Sequence, residues 1–177
     1  MFPFKQTLTT NNKTKGVNSK EFIVIHHTAT WEGSLKWVLR TLTTWAVSCH
    51  FVIDTNGDAY KIGSPDDILW HAWESEWGDK KWMNYFALGI EIIGPLADGW
   101  FTRAQFITLT RLVEHLMAAF NIPKDNVIRH KDITHPNSKN RVLWKVGTRS
   151  RKVDPYDTLF PNSNFLDWRN ALTPNKV

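Results

Sequence analysis

Apolar positions along the chain follow two periods, and each marks a different element. Phe22-Ile23-Val24-Ile25 is an unbroken, β-branched run, the pattern of a strand covered on both faces. The stretch Ala87 to Ile93 repeats it with a single charged interruption at Glu91. Between these, Phe51-Val52-Ile53 and Ala59-Tyr60-Lys61-Ile62 flank Thr55-Asn56-Gly57-Asp58, and Asn-Gly between two apolar runs predicts an antiparallel hairpin. Leu35, Trp37, Val38, Leu42 and Trp45 recur at helical spacing behind Ser34, predicting a helix over 34–45 with Ser34 as its N-cap. Thr102-Arg103-Ala104-Gln105 is a capping box. It opens a longer helix whose stripe is Phe106, Leu109, Val113, Leu116, Met117 and Phe120, with His115 off the stripe and Pro123 as the stop. Asn126 to Arg129 reads as a short strand that delivers His130 to a loop, and Asn162 to Leu172 as a short C-terminal helix. Residues 63–85 have no period and predict a long loop of the kind that is usually functional. These elements predict an α/β chain with a central mixed sheet of about five or six strands flanked by helices.

Length and composition narrow the reading. A chain of 177 residues forms one domain with a core large enough to need no staples. Its single cysteine, Cys49, has no intrachain partner, and His50 beside it faces the other way on a strand, so Cys49 reads as a small buried hydrophobe. Residues 1–20 are polar, without an apolar core or a cleavage site. They are expected to form a flexible arm before a catalytic domain over 21–177, on a chain made in the cytoplasm without a signal peptide. No apolar run approaches membrane-spanning length.

With 22 Lys+Arg against 17 Asp+Glu the formal charge is +5, which favours an anionic partner without choosing among nucleic acid, anionic lipid and cell-wall polymer. Ten tryptophans are many for this length. Trp70, Trp73, Trp77 and Trp82 fall in the predicted loop and suit stacking on sugars or bases, whereas at least half of the ten are expected to fill the core.

The first apolar run ends in His26-His27. Successive strand residues point to opposite faces, so only one of the two can enter a given site, and His26 is the expected one. Glu91 interrupts a buried strand, which places its carboxylate toward a cleft. Two imidazoles and one carboxylate, His26, His130 and Asp154, have the composition of a catalytic zinc site. Such a site leaves a fourth position for a water whose pKa falls to about 7.

The ordered motifs IVIHHTAT, SCHFVIDTNGDAY, ILWHAW, ALGIEIIG, VIRHKDI and KVDP resemble the zinc-dependent N-acetylmuramoyl-L-alanine amidases, the group that includes small phage lytic amidases and shares its fold with peptidoglycan recognition proteins. The resemblance spans roughly residues 20 to 160. It implies one zinc ion held by His26, His130 and Asp154 in a cleft on one face of the sheet. It implies Glu91 as general base or water-orienting group, Lys152 as an oxyanion partner, and His71 and Thr28 as residues lining the substrate groove. The activity implied is hydrolysis of the amide between N-acetylmuramic acid and L-alanine of the stem peptide, as in a bacteriolytic endolysin acting on the bacterial wall in the periplasm. The implied partner is peptidoglycan, with no nucleic acid and no membrane insertion, and the chain is expected to be a monomer.

Two departures from the family pattern stand out. Cys49 occupies a place where some relatives have tyrosine, and the segment between His130 and Asp154 is longer than usual. That segment carries His135, an alternative third ligand, and basic residues such as Arg141 and Lys145 that are expected to flank the cleft and draw in the anionic polymer. A peptidoglycan-binding module without turnover is the competing reading from another class; it has no need of Glu91 or Lys152. A basic nucleic-acid-binding domain would leave His26, Glu91 and Asp154 unexplained.

Overall fold

The computed structural model describes residues 2–28, 34–94, 101–133 and 162–174. Its centre is a six-stranded mixed sheet, in agreement with the α/β expectation. The strands are β1 (Gln6–Thr7), β3 (Phe22–His27), β4 (Phe51–Ile53), β5 (Ala59–Lys61), β9 (Ala87–Ile92) and β10 (Val127–Arg129), in the order β1-β5-β4-β9-β3-β10. Strands β4, β9, β3 and β10 run parallel, while β4 and β5 form the antiparallel hairpin turned at Gly57, whose φ of +86° suits a residue without a Cβ. The β-branched runs of β3 and β9 occupy the middle of the sheet, where both faces are covered.

Helix α1 (Leu35–Thr44) and helix α2 (Arg103–Phe120) follow the predicted spans closely. Thr102 Oγ1 accepts from the Gln105 N–H and the Gln105 side chain accepts from the Thr102 N–H, completing the capping box. Asn121 ends α2 in the left-handed conformation, two residues before Pro123. Leu109, Leu112, Val113, Leu116 and Met117 of α2 close over Ile23, Ile25, Phe51, Ile53, Leu88, Ile90 and Ile92. Each such burial stabilises by about 1.5–3 kcal/mol. Helix α3 (Asn162–Ala171) adds Phe165 and Trp168 to this core. No described helix is long and apolar enough to cross a membrane.

Four expectations are corrected. Residues 2–20 are not a loose arm. The Phe4 ring stacks on Phe51 at 5.4 Å, β1 extends the sheet along β5, and β2 (Lys13–Thr14) pairs with β6 (Ile68–Leu69). Backbone bonds and two phenyl rings dock this segment, and neither leaves a hydrophobic period in the sequence. Residues 63–85 are not structureless: β6 is followed by the hairpin β7 (Glu76–Trp77) and β8 (Lys80–Lys81) and by a 3-10 turn at Met83–Tyr85. Ser34 holds the N-cap position of α1 without a side-chain capping bond. Finally, among the described tryptophans only Trp168 is buried, whereas Trp37, Trp45, Trp73, Trp77 and Trp82 are exposed. The apolar spacing of α1 overstated its buried face, because Val38 and Leu42 suffice to seat a helix that covers only one layer.

Candidate active site

Strand register brings the candidate residues into one row. His26 on β3 is the direct lateral partner of Glu91 on β9, and Arg129, the last residue of β10, pairs with Ile25. His130 therefore follows beside His26 on its other flank. Neighbouring strands lie about 4.8 Å apart and equivalent residues share a face, so Glu91, His26 and His130 line up across three adjacent parallel strands at their carboxyl ends. The His26 and His130 rings have centroids 4.3 Å apart. His27 points to the opposite face, where its ring lies 6.2 Å from Phe101 and a Cβ at Gly94 would come within 3.0 Å of its Nε2.

His71 arrives from the loop after β6. Its Nε2 lies 3.1 Å from the Ala87 carbonyl, which can only accept, so the proton sits on Nε2. Its Nδ1 then accepts from His26 Nε2 at 3.0 Å. That arrangement leaves Nδ1 as the lone-pair nitrogen of a neutral His26. Burial holds the His71 imidazole well below its ordinary range, with His26 and His50 adding to the effect.

The ring of His71 fits only because residue 89 is glycine: a Cβ there would lie 2.6 Å from His71 Cγ. His50 supports the same strand. Its Nδ1 accepts from the Gly89 N–H at 3.0 Å and its Nε2 donates to the Asp67 carbonyl at 3.1 Å, while complete burial pushes its pKa down to about 4. Asn84 Oδ1 fixes the loop by accepting from the backbone N–H groups of His71 and Ala72.

His130 begins a 3-10 turn, His130–Ile133, and is not in an open loop as expected. Arg129 holds that turn. Its Nε and Nη2 each donate to Asp132 at 2.9 Å, and its guanidinium lies 4.5 Å from the Phe165 ring centroid of α3. Cys49 is buried, and burial followed by the nearby Glu91 raises its thiol pKa well above the ordinary value, which makes it inert.

A cleft of about 200 Å³ opens beside this row, and Thr28, His71 and Glu91 all line it. Lys152, Asp154, His135, Arg141 and Lys145 lie outside the described residues. Among the described residues no three ligand-type side chains form a metal site by themselves, and the spacing of His26 and His71 is that of a hydrogen bond. The donor chemistry nevertheless fits zinc. A ligand histidine characteristically gives its other ring N–H to an acceptor, and His26 does so to His71. Sequence reasoning did not find the roles of Gly89, His50 and the Arg129–Asp132 pair. Only Gly89 left a signal, since glycine inside a strand marks a close approach.

A mixed sheet with an imidazole row and a carboxylate at the carboxyl ends of its parallel strands defines an α/β protein with a polar site on one face. The chain belongs to the N-acetylmuramoyl-L-alanine amidase family, whose model matches residues 17–157. It is 30% identical over 131 residues to the 1,6-anhydro-N-acetylmuramyl-L-alanine amidase AmpD of Haemophilus influenzae, covering 73% of this chain and 59% of that protein. This chain thus spans somewhat under two thirds of that relative. A mutant endolysin from Bacillus subtilis superposes with a TM-score of 0.63 at 25% identity, over 85% of this chain and 97% of that one. AmiD from Escherichia coli, solved with anhydro-N-acetylmuramic acid-L-Ala-D-γ-Glu-L-Lys as substrate, superposes with a TM-score of 0.59 at 26% identity, over 68% of this chain and 51% of that one.

Proposed function

We propose that the chain is a zinc-dependent peptidoglycan amidase, hydrolysing the amide between N-acetylmuramic acid and L-alanine of the stem peptide as a bacteriolytic endolysin does. The observation that carries this is the lateral row of Glu91, His26 and His130 beside a cleft. Family membership and the substrate bound to AmiD support it. His26 and His130 would hold the metal, with Asp154 as the third ligand. When bound, zinc supplies a Lewis acid that polarises the scissile carbonyl and makes water acidic enough to attack at neutral pH.

The protein's own groups do the rest. His71 keeps His26 in the tautomer that presents Nδ1, and the Ala87 carbonyl keeps His71 in turn. Glu91 stands in the cleft one strand away from His26, placed to take the proton of the attacking water and return it to the leaving amine of L-alanine. Thr28 and His71 line the groove the substrate enters, and Lys152 stabilises the developing oxyanion. Site of action is the bacterial wall, and peptidoglycan is the partner.

Purified sacculi incubated with the protein, with and without a chelator, test the reading by mass spectrometry. Stem peptides with a free L-alanine amino terminus, absent when chelator is present, are expected. Cut glycan strands or cut cross-bridges overturn it, and binding without release makes the chain a recognition module. Glu91→Ala is expected to retain zinc and lose turnover by about a hundredfold or more.

A further inference from the structure

The strand that carries His130 into the site is gripped from the other face of the sheet. Val127 of β10 packs in the core beneath α2, together with Phe165 and Trp168 of α3. Arg129, two residues on, shares that face and is 5% exposed, so its guanidinium sits where an unpaired charge would be costly. Two groups accommodate it. Asp132 accepts from Nε and Nη2 at 2.9 Å in a fork that suits a planar guanidinium, and the Phe165 ring covers the cation with its centroid 4.5 Å away. Asp132 Oδ2 also accepts from the Arg129 backbone N–H at 3.0 Å. One carboxylate therefore ties the last residue of β10 to the turn His130–Ile133, and His130 is enclosed between the two ends of that tie.

Helix α3 is itself anchored. Trp168 Nε1 donates to Thr110 Oγ1 of α2 at 2.9 Å. Just before β10, Arg169 Nη2 lies 3.4 Å from Asp125 Oδ1, but the Asp125 side chain is 81% exposed and solvent screens the pair. The contact at the far end of the strand is the stronger one, since a cation over an aromatic face gains as water is excluded. We propose that α3 braces the metal site: Phe165 is a positioning residue that acts through Arg129 and Asp132 to hold the turn presenting His130. A contact on the α2 face of the sheet then sets how firmly the cleft face retains a metal ion. The inference rests on the zinc reading above.

Phe165→Leu keeps the apolar volume and removes the ring face, while Leu112→Ala, in the same core on α2, is the destabilised control. Zinc affinity is read by competition with a chromophoric chelator at a temperature where every variant is folded. It is expected to fall about tenfold in Phe165→Leu and about a hundredfold in Arg129→Met, and to stay within about twofold in Leu112→Ala. The double variant is expected to match Arg129→Met alone, because Phe165 acts through the guanidinium; an additive loss overturns that route. With cobalt(II) in the site, the visible absorption bands report ligand geometry and are expected to shift in Phe165→Leu but not in the control. An equal loss of affinity in the control, or an unchanged affinity or spectrum in Phe165→Leu, overturns the brace. Hydrogen exchange of the metal-free proteins reads the same turn without zinc. Backbone amides over residues 130–133 are expected to exchange about tenfold faster in Phe165→Leu than in Leu112→Ala, and equal exchange overturns the proposal. Faster exchange in Phe165→Leu when the parent protein binds no zinc upholds the brace on His130 and overturns only the zinc reading.

Discussion

The two faces of the central sheet are built from the same four parallel strands and do opposite things. Toward α2, β3, β4, β9 and β10 present Ile23, Ile25, Phe51, Ile53, Leu88, Ile90, Ile92 and Val127, an apolar layer with essentially no exposure. Toward the cleft, the alternate residues of β3 and β9 are Val24, His26, Ala87, Gly89 and Glu91, with Ile128 and then His130 following on β10. One face is filled and the other is partly hollowed, by a glycine and by imidazoles that hydrogen-bond one another. Close packing on the first face holds the strands in register, and that register sets the row of groups on the second. Rigidity is thus generated on one side and used on the other.

The sharpest way to break this comparison is the His26-His27 pair, adjacent in sequence and opposite in facing. His26→Ala is expected to lose zinc and to lower kcat/KM at least about a thousandfold. His27→Ala should keep metal content and most of the rate, and lower stability by about 1–3 kcal/mol through the cavity it leaves. Metal analysis and turnover on both variants decide the matter. If His27→Ala loses the metal and His26→Ala does not, the assignment of faces is wrong.

Next in size is a pair on β9. Ile90→Ala empties the filled face and is expected to cost about 2–5 kcal/mol in denaturant unfolding, with kcat/KM per folded molecule within about twofold. Gly89→Ala adds one methyl to the hollow face, 2.6 Å from His71 Cγ. The imidazole must move, and its bond to His26 moves with it. We expect a smaller stability loss of about 1–3 kcal/mol but a fall in kcat/KM of about ten- to a hundredfold. Should Gly89→Ala merely unfold the protein, with the folded fraction as active as before, the cleft face is a packing face like the other.

The filled face was more legible in the sequence than the hollow one. Apolar runs gave β3 and β9, Asn56-Gly57 gave the hairpin, and Thr102 to Gln105 gave the start of α2, because each rests on local periodicity or a local backbone bond. Alternation along β3 also separated His26 from His27. What local pattern could not give were contacts closed over long stretches of chain. The docking of residues 2–20 depends on Phe4 meeting Phe51 and on β1 meeting β5, and the bond between His26 and His71 spans 45 residues. Trp37 was misread for the opposite reason. Its place beside Val38 in a run with Leu35 and Leu42 resembled a core stripe, but a residue at the margin of such a stripe can face a cleft as well as the interior.

The smallest expected effect concerns pH and again divides the faces, because the buried histidines with lowered pKa values, His50 and His71, sit on the cleft side. His50 is held neutral by burial, its pKa falling from 6.5 to about 4. The unfolded chain therefore takes up a proton near pH 6.5 that the folded chain refuses until about pH 4. Stability supplied by the neutral ring is present above pH 6.5 and is lost as pH falls through that window, by up to about 3 kcal/mol from this group alone. His50→Gln removes the titration. The variant is expected to be less stable at every pH, since the Gln carboxamide has an acceptor and a donor but does not hold them where the ring meets the Gly89 N–H and the Asp67 carbonyl. Its further loss between pH 6.5 and 4 should nevertheless be shallower than that of the parent, leaving the share due to His71. Urea unfolding at closely spaced pH values reads the two slopes. Identical slopes would mean that the acid sensitivity comes from elsewhere in the molecule, and that the hollow face is not where this fold stores its pH-dependent strain.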